Sequence, residues 1–474
     1  MTRVGGVSRV SRAGSEVEDL AGRLPTGFRF GTSTAAYQIE GAVTEDGRGP
    51  SIWDTFCAEP GRVADGSSGE VACDHYHRVD EDVALMQGLG TTGYRFSIAW
   101  PRVVPTGSGA VNAAGLDFYD RLVDALLAAG QEPMATLYHW DLPQPLEDAG
   151  GWLSRDTVER FGEYVGAVAA RLGDRVTDWV PVNEPNVAGL MGYGVGMLAP
   201  GRSLLFDAQP VTHHLLLAHG RAVAALRAAG VTGRIGCANN HAPVWPASDR
   251  DADVGAAKLF DALWNGQYVE PMLMGRYPAD IAMLMEEFDG LVRDGDLDTI
   301  RQPLDFYGLN YYNPMRIAAT ADEADLPFAF REVVGHPTTD FGWPVVPDAL
   351  RELLITLRAR YRAVLPPVVI TESGCSYAVG PDDAGVVEDQ DRIDYHAGHL
   401  RAVAEANGRG ADVRGYYCWS LLDNFEWADG YQQRFGLVWV DFATQQRIPK
   451  ASYRWYAELI AAHRARQPSA APPG

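Results

Sequence analysis

The chain alternates short, almost wholly apolar runs with longer segments in which apolar residues recur every three or four positions. Eight of the apolar runs read as strands: Phe28–Ser33, Gly93–Trp100, Pro133–His139, Asp178–Asn183, Arg234–Ala238, Asp305–Tyr311, Pro367–Thr371 and Val413–Trp419. Strands without a polar face belong to a sheet covered on both sides, the usual setting of parallel strands. The segments between them supply the covering helices. Val79, Val83, Met86 and Leu89 share one helical face, and Asp74 reads as the cap that starts it. Leu116, Tyr119, Leu122, Val123 and Leu126 form a second stripe, which Gly130 is suited to end.

Strands and helices in this alternation predict an α/β fold, a single (β/α)8 TIM barrel. An open doubly wound sheet is the competing arrangement. Against it, no GxGxxG follows the first strand, and no GxxxxGKS/T occurs anywhere. The barrel is expected to occupy residues 23–466, with residues 1–22 a disordered N-terminal extension and residues 467–474 a disordered tail.

A barrel collects its functional side chains where strands end at their carboxyl edge. In this chain those ends are polar. The first run leads into Gln38, and the third ends in His139-Trp140-Asp141. The fourth ends in Asn183-Glu184-Pro185, the sixth in Asn310-Tyr311-Tyr312, the seventh in Thr371-Glu372-Ser373 and the eighth in Trp419-Ser420. All are expected to point into one pocket.

Glu184 and Glu372 directly follow apolar strands, where a buried, unpaired carboxylate costs several kcal/mol. Singly, each also fits a structural salt bridge, with Arg95 at the end of the second strand a candidate partner. Together, on a rim of amides and aromatics, they suit cleavage of a glycosidic bond. One carboxyl protonates the leaving oxygen while the other attacks, or activates water at, the anomeric carbon.

Composition narrows the partners. Forty basic against 62 acidic residues give a formal charge of −22, which repels phosphate backbones and anionic lipid. Nucleic acid and a membrane are therefore not expected partners; the two carboxyls point to a small-molecule glycoside, a β-glycoside by the resemblance described below, with the oligomeric state left open. The five cysteines are scattered and form no CxxC pair. No apolar run is long enough to span a bilayer, and residues 1–22 lack the apolar core of a secretory signal. A soluble cytoplasmic enzyme without metal or cofactor is expected. Cys73-Asp74-His75-Tyr76-His77, His213, His214 and His219 read as packed or solvated side chains, and Cys375 as a bystander near the pocket.

The motifs GTSTAAYQIEGA, SIWDTF, DHYHRVDEDVALM, YRFSIAWPRV, LYHWDLPQPLED, NEP, GLNYY, ITESG and WSLLDNFEWADGYQQRFGLVWVDF follow one another in this order. Together they resemble glycoside hydrolase family 1, the β-glucosidase family, from about Phe28 to Tyr456. The resemblance implies a retaining β-glycosidase with Glu184 as acid/base and Glu372 as nucleophile. It implies hydrogen bonds to the sugar from Gln38, His139, Asn183 and Glu426, with Trp140 in the same binding set. Trp419 would stack beneath the sugar and Trp427 lie beside it. Asn310 and Tyr312 would flank the nucleophile, with Tyr312 and Arg95 supporting its carboxylate. Retention requires carboxyls about 5–5.5 Å apart.

Three residues depart from the family's usual pattern: Ser373 after the nucleophile, Pro181 before NEP, and Asn186 after it. Glu426 favours an unphosphorylated sugar, since its charge would repel a 6-phosphate. The expected activity is hydrolysis of terminal β-D-glucosyl residues, extending to galactosyl or fucosyl residues. The alternatives are transglycosylation or a specialised natural-product glycosidase using the same two glutamates, and a sugar-binding protein that has lost catalysis.

Overall fold

The computed structural model describes residues 5–321 and 325–467. Its centre is a parallel barrel of eight strands: β1 (Arg29–Ser33), β2 (Gly93–Ser97), β3 (Glu132–Tyr138), β4 (Asp178–Val182), β5 in two pieces (Arg234–Ile235 and Asn239–Asn240), β6 (Tyr307–Asn310), β7 (Val368–Ser373) and β8 (Val413–Trp419). Neighbours pair in chain order, and β1 pairs with β8. The first piece of β5 pairs with β4 and the second with β6, which closes the ring.

The break in β5 falls opposite Pro181 of β4. Pairing runs through Trp179 with Ile235 and resumes as a bridge between Asn183 and Ala238. A proline nitrogen has no hydrogen to donate to a ladder, so the interruption lies where the ladder is weakest.

Met134, Val180, Ala238, Phe306, Val369 and Tyr417 fill the barrel interior as a separate apolar cluster. Below it, Asp178 accepts from Arg29 at 2.6 Å and from Arg234 at 2.8 Å, an ion-paired floor. The main core lies between the strands and the outer helices. The helix Asp156–Leu172 illustrates the fit: Val158, Phe161, Val165, Val168 and Leu172 are buried at three- and four-residue steps. A smaller sheet, Val244–Pro246, Met315–Ala319 and Phe328–Arg331, lies beside the barrel. Among the described residues no helix is long and apolar enough to cross a membrane.

Two expectations need correction. The segment expected to be disordered over residues 1–22 contains the helix Gly5–Arg23. Val17, Leu20, Ala21 and Leu24 are buried, and the helix packs against the C-terminal helix Ala451–Ala465. The spacing of these four residues is helical, but the stripe is short and polar residues dilute it. Gln467 accepts a hydrogen bond from the Gly27 amide at 3.1 Å, and the rest of the expected tail lies outside the described residues.

The second correction is Asp74, which does not cap the following helix, Val79–Leu89. Its carboxylate instead accepts from Arg78 and His77. Gly130 does adopt the left-handed conformation (φ +75°) that ends the helix Ala113–Ala128.

Because Leu20 is only 2% exposed, Leu20→Ala is expected to destabilise the protein by about 2 kcal/mol. Chemical denaturation of wild type and variant checks this.

Candidate active site

The candidate site is a cluster of buried polar and aromatic side chains at the carboxyl ends of the strands. Glu184, just beyond β4, is 4% exposed, and Glu372, near the end of β7, is 2% exposed. Each reaches the pocket through a local irregularity. Val369 faces the barrel interior, so strict alternation would send Glu372 outward. The register of β7 slips between Ile370 and Glu372 against β6, a device that re-aims a side chain. Glu184 has φ +44°, and Trp140 and Trp427 beside the pocket have φ +74° and +49°. A side chain in the left-handed region costs about 1–2 kcal/mol, so three at one site mark a shape that surrounding packing enforces.

Glu372 is held at both oxygens. Arg95 Nη1 donates to Oε1, and the Tyr312 hydroxyl donates to Oε2 at 2.7 Å. Arg95 is itself fixed by Nη2 donating to Asn183 Oδ1 at 2.6 Å and Nε donating to Thr136 at 3.0 Å.

Glu184 differs. Asn310 Nδ2 at 2.8 Å and Asn240 Nδ2 at 3.0 Å both donate to its Oε1. Asn310 also donates to Asn183 at 3.0 Å and accepts from Thr371 at 2.6 Å, so it ties the ends of β4, β6 and β7 together.

Burial, then the nearby Glu372 charge, pushes the Glu184 carboxyl up to about 8. Burial also raises Glu372, against the opposing pull of Arg95 and Tyr312. Two carboxylates this deep disfavour double ionisation, and the cation stands on the Glu372 side. The arrangement favours the proton on Glu184 and the charge on Glu372.

A polar wall stands opposite. Gln38 Nε2 donates to Asn424 Oδ1 at 3.1 Å, the Phe425 carbonyl at 2.8 Å and Glu426 Oε2 at 3.3 Å. Its buried Oε1 has no partner among the described residues and can accept from a ligand hydroxyl. His139 Nε2 lies 3.1 Å from Asn183 Nδ2, and burial, then Arg95, keeps the imidazole neutral. Trp419 and Trp427 lie 5.9 and 6.0 Å from the His139 ring, both nearly parallel to it. Trp140 packs 4.8 Å from Trp427 and donates its indole hydrogen to the Asn183 carbonyl at 3.0 Å.

A glycosyl hydrolase family 1 profile matches residues 20–465. The chain belongs to glycosyl hydrolase family 1. It is 49% identical over 459 residues to thermostable beta-glucosidase B of Thermobispora bispora, covering 96% of this chain and 94% of that protein. It is 45% identical to a bifunctional beta-D-glucosidase/beta-D-fucosidase of Bifidobacterium breve, covering 94% and 99% respectively. The structure of the family 1 beta-glucosidase from Thermotoga maritima superposes with a TM-score of 0.88 at 40% identity, covering 93% of this chain and 98% of that one. As a family 1 member, the protein is an O-glycosyl hydrolase on a (β/α)8 barrel.

Gln38, Arg95, His139, Trp140, Asn183, Glu184, Asn310, Tyr312, Glu372, Trp419, Glu426 and Trp427 come together in one cluster through the contacts above. Asn310 bonds directly to the Glu184 side of the pair rather than simply flanking Glu372.

Not every polar strand end points inward. Asp141 lines a small separate cavity with Glu40 and Arg48, and the Tyr311 hydroxyl donates to the Val346 carbonyl at 3.0 Å. Ser373 pairs with Tyr395 at 3.3 Å and makes no hydrogen bond to Glu372 among the described residues. His75 pairs with Asp82 at 2.8 Å, and burial pushes the Cys375 thiol up to about 12. No group of three His, Cys, Asp or Glu among the described residues is arranged to hold a metal ion.

Sequence reasoning missed Asn240, Trp264 and Trp343, the last 5.2 Å from the Tyr312 ring. Asn240 had a signal: the polar run Asn239-Asn240-His241 follows Ala238 just as polar residues follow the other strands.

The two carboxyls predict a bell-shaped dependence of kcat/KM on pH. The basic limb, where Glu184 loses its proton, is expected near pH 8. The acidic limb follows protonation of Glu372. Initial rates between about pH 4 and 10 check both limbs.

Proposed function

We propose that this protein is a retaining β-glucosidase that removes terminal, unphosphorylated β-D-glucosyl residues by double displacement. The observation that carries the reading is the asymmetry of the two buried glutamates. Glu372 is bonded to a cation and a phenol, while Glu184 is held by two neutral amides.

In the first step Glu372 attacks the anomeric carbon as Glu184 protonates the leaving oxygen. The bond electrons leave with that oxygen, and Glu372 becomes an ester. Its charge is then gone, which removes one cause of the raised Glu184 value. Glu184, now ionised, takes a proton from water as that water attacks the anomeric carbon; the bond from that carbon to Glu372 breaks, its electrons restore the carboxylate, and β-glucose departs. Asn310 donates to Glu184 and bridges to the strand that carries Glu372, in keeping with carboxyls about 5–5.5 Å apart.

Gln38, His139, Asn183 and Glu426 would hold the sugar hydroxyls, with Trp419 beneath the ring and Trp140 and Trp427 beside it. Glu426 would accept from a free 6-hydroxyl and repel a 6-phosphate. The names of the relatives favour glucosides, with fucosides in one case, and hydrolysis over net transfer. Action in the cytoplasm fits the five free cysteines, four of them buried.

Wild-type protein is expected to release nitrophenol from p-nitrophenyl β-D-glucopyranoside, with β-glucose as the first product by NMR. Glu372→Gln should lower kcat by about 10⁴-fold or more. The 6-phosphorylated glucoside should not be turned over. Turnover of the phosphorylated substrate alone, or α-glucose as first product, would overturn the proposal.

A further inference from the structure

The oxygens of Glu184 are not equivalent. Oε1 accepts from Asn310 and Asn240, whereas Oε2 makes no hydrogen bond among the described residues. An oxygen that already accepts two amide hydrogens is a poor place for a proton. The transferable proton is therefore confined to Oε2.

Asn240 can donate in this way only if its amide is turned correctly. Two contacts turn it. The Trp264 indole donates to Asn240 Oδ1 at 3.2 Å, which leaves Nδ2 to face Glu184. Asn186 Nδ2 donates to the Asn240 carbonyl at 3.0 Å and to the Trp264 carbonyl at 3.3 Å, bracing the backbones of both residues. Trp264 is 3% exposed and stacks on Phe260 with centroids 5.8 Å apart, so its ring is fixed too. Asn186 departs from the family's usual residue, and this brace gives it a use. The charged or titratable groups around Glu184 are Glu372, Arg95, Tyr312 and Glu426.

We propose that Asn240 is a positioning residue for acid catalysis, oriented by Trp264 and Asn186, and that it aims the Glu184 proton from Oε2 at the leaving oxygen. The inference rests on Glu184 being the acid/base. In the step it serves, the Oε2–H bond breaks and a new O–H bond forms on the departing oxygen. The anomeric C–O bond breaks toward that oxygen, and Oε1 keeps both amide bonds as the carboxylate becomes charged.

The test compares kcat/KM of wild type, Asn240→Ala and Trp264→Phe on two glucosides. Phenyl β-D-glucoside needs the proton, while 2,4-dinitrophenyl β-D-glucoside has a leaving group that departs without it. Loss of a hydrogen bond to a developing charge predicts about a ten- to hundredfold fall on the phenyl substrate for Asn240→Ala, and a smaller fall for Trp264→Phe. The dinitrophenyl substrate should change less than about threefold, since acid assistance is not required. The basic limb of the pH profile should move upward in both variants, because a bond to the ionised carboxyl has been removed or loosened.

Equal losses on both substrates with an unmoved basic limb, in variants whose thermal midpoints stay near wild type, would overturn the positioning role. Trp264→Phe keeps the ring stack, so it reports even if Asn240→Ala folds poorly. Failure of the underlying reading is distinct: Glu184→Gln would then lose no more on the phenyl than on the dinitrophenyl substrate.

Discussion

Two carboxyl groups buried within reach of one another cannot both be charged without large cost. The structure resolves that conflict by unequal treatment. Arg95 and Tyr312 stand at Glu372, and two carboxamides stand at Glu184. This unequal treatment favours the charge on Glu372 and the proton on Glu184, the division that the proposed double displacement requires. The conflict is also what makes the pair reversible. In the proposed mechanism, esterifying Glu372 removes its charge, and Glu184 is then free to ionise and act as a base.

Holding this arrangement takes the barrel. The partners of the two carboxyls come from β2, β5, β6 and the segment after β6, so no single element can misplace one without disturbing the others. The local backbone is correspondingly irregular. Glu184, Trp140 and Trp427 sit in the left-handed region, and β7 slips register just before Glu372. Apolar layers inside and outside the strands provide the stability against which such departures are tolerated.

The parts of this arrangement that follow from local pattern were legible in the sequence. Seven of the apolar runs correspond to continuous barrel strands, and the two glutamates stood out because a carboxylate after an apolar strand needs a reason to be there. Arg95 was legible as a partner for the same reason. What escaped depends on pairings across the ring. Nothing local marks Trp264 as the residue that turns Asn240, since one lies on a helical segment and the other on a strand. The N-terminal helix was obscured by a short apolar stripe, which matters only because the C-terminal helix lies against it. Conversely, the three departures from the family pattern acquire local explanations: Pro181 at the break in β5, Asn186 as a brace, and Ser373 turned toward Tyr395.

On the reading proposed above, the charge on Glu372 helps keep the proton on Glu184. Carbon NMR can follow the ionisation of an isotopically labelled Glu184 carboxyl in free enzyme and in enzyme trapped as its 2-deoxy-2-fluoroglucosyl ester. Titration is expected near pH 8 in the free enzyme, with a clear downward shift once Glu372 is esterified. An unchanged titration in the trapped enzyme, or an ester on a residue other than Glu372, would contradict it.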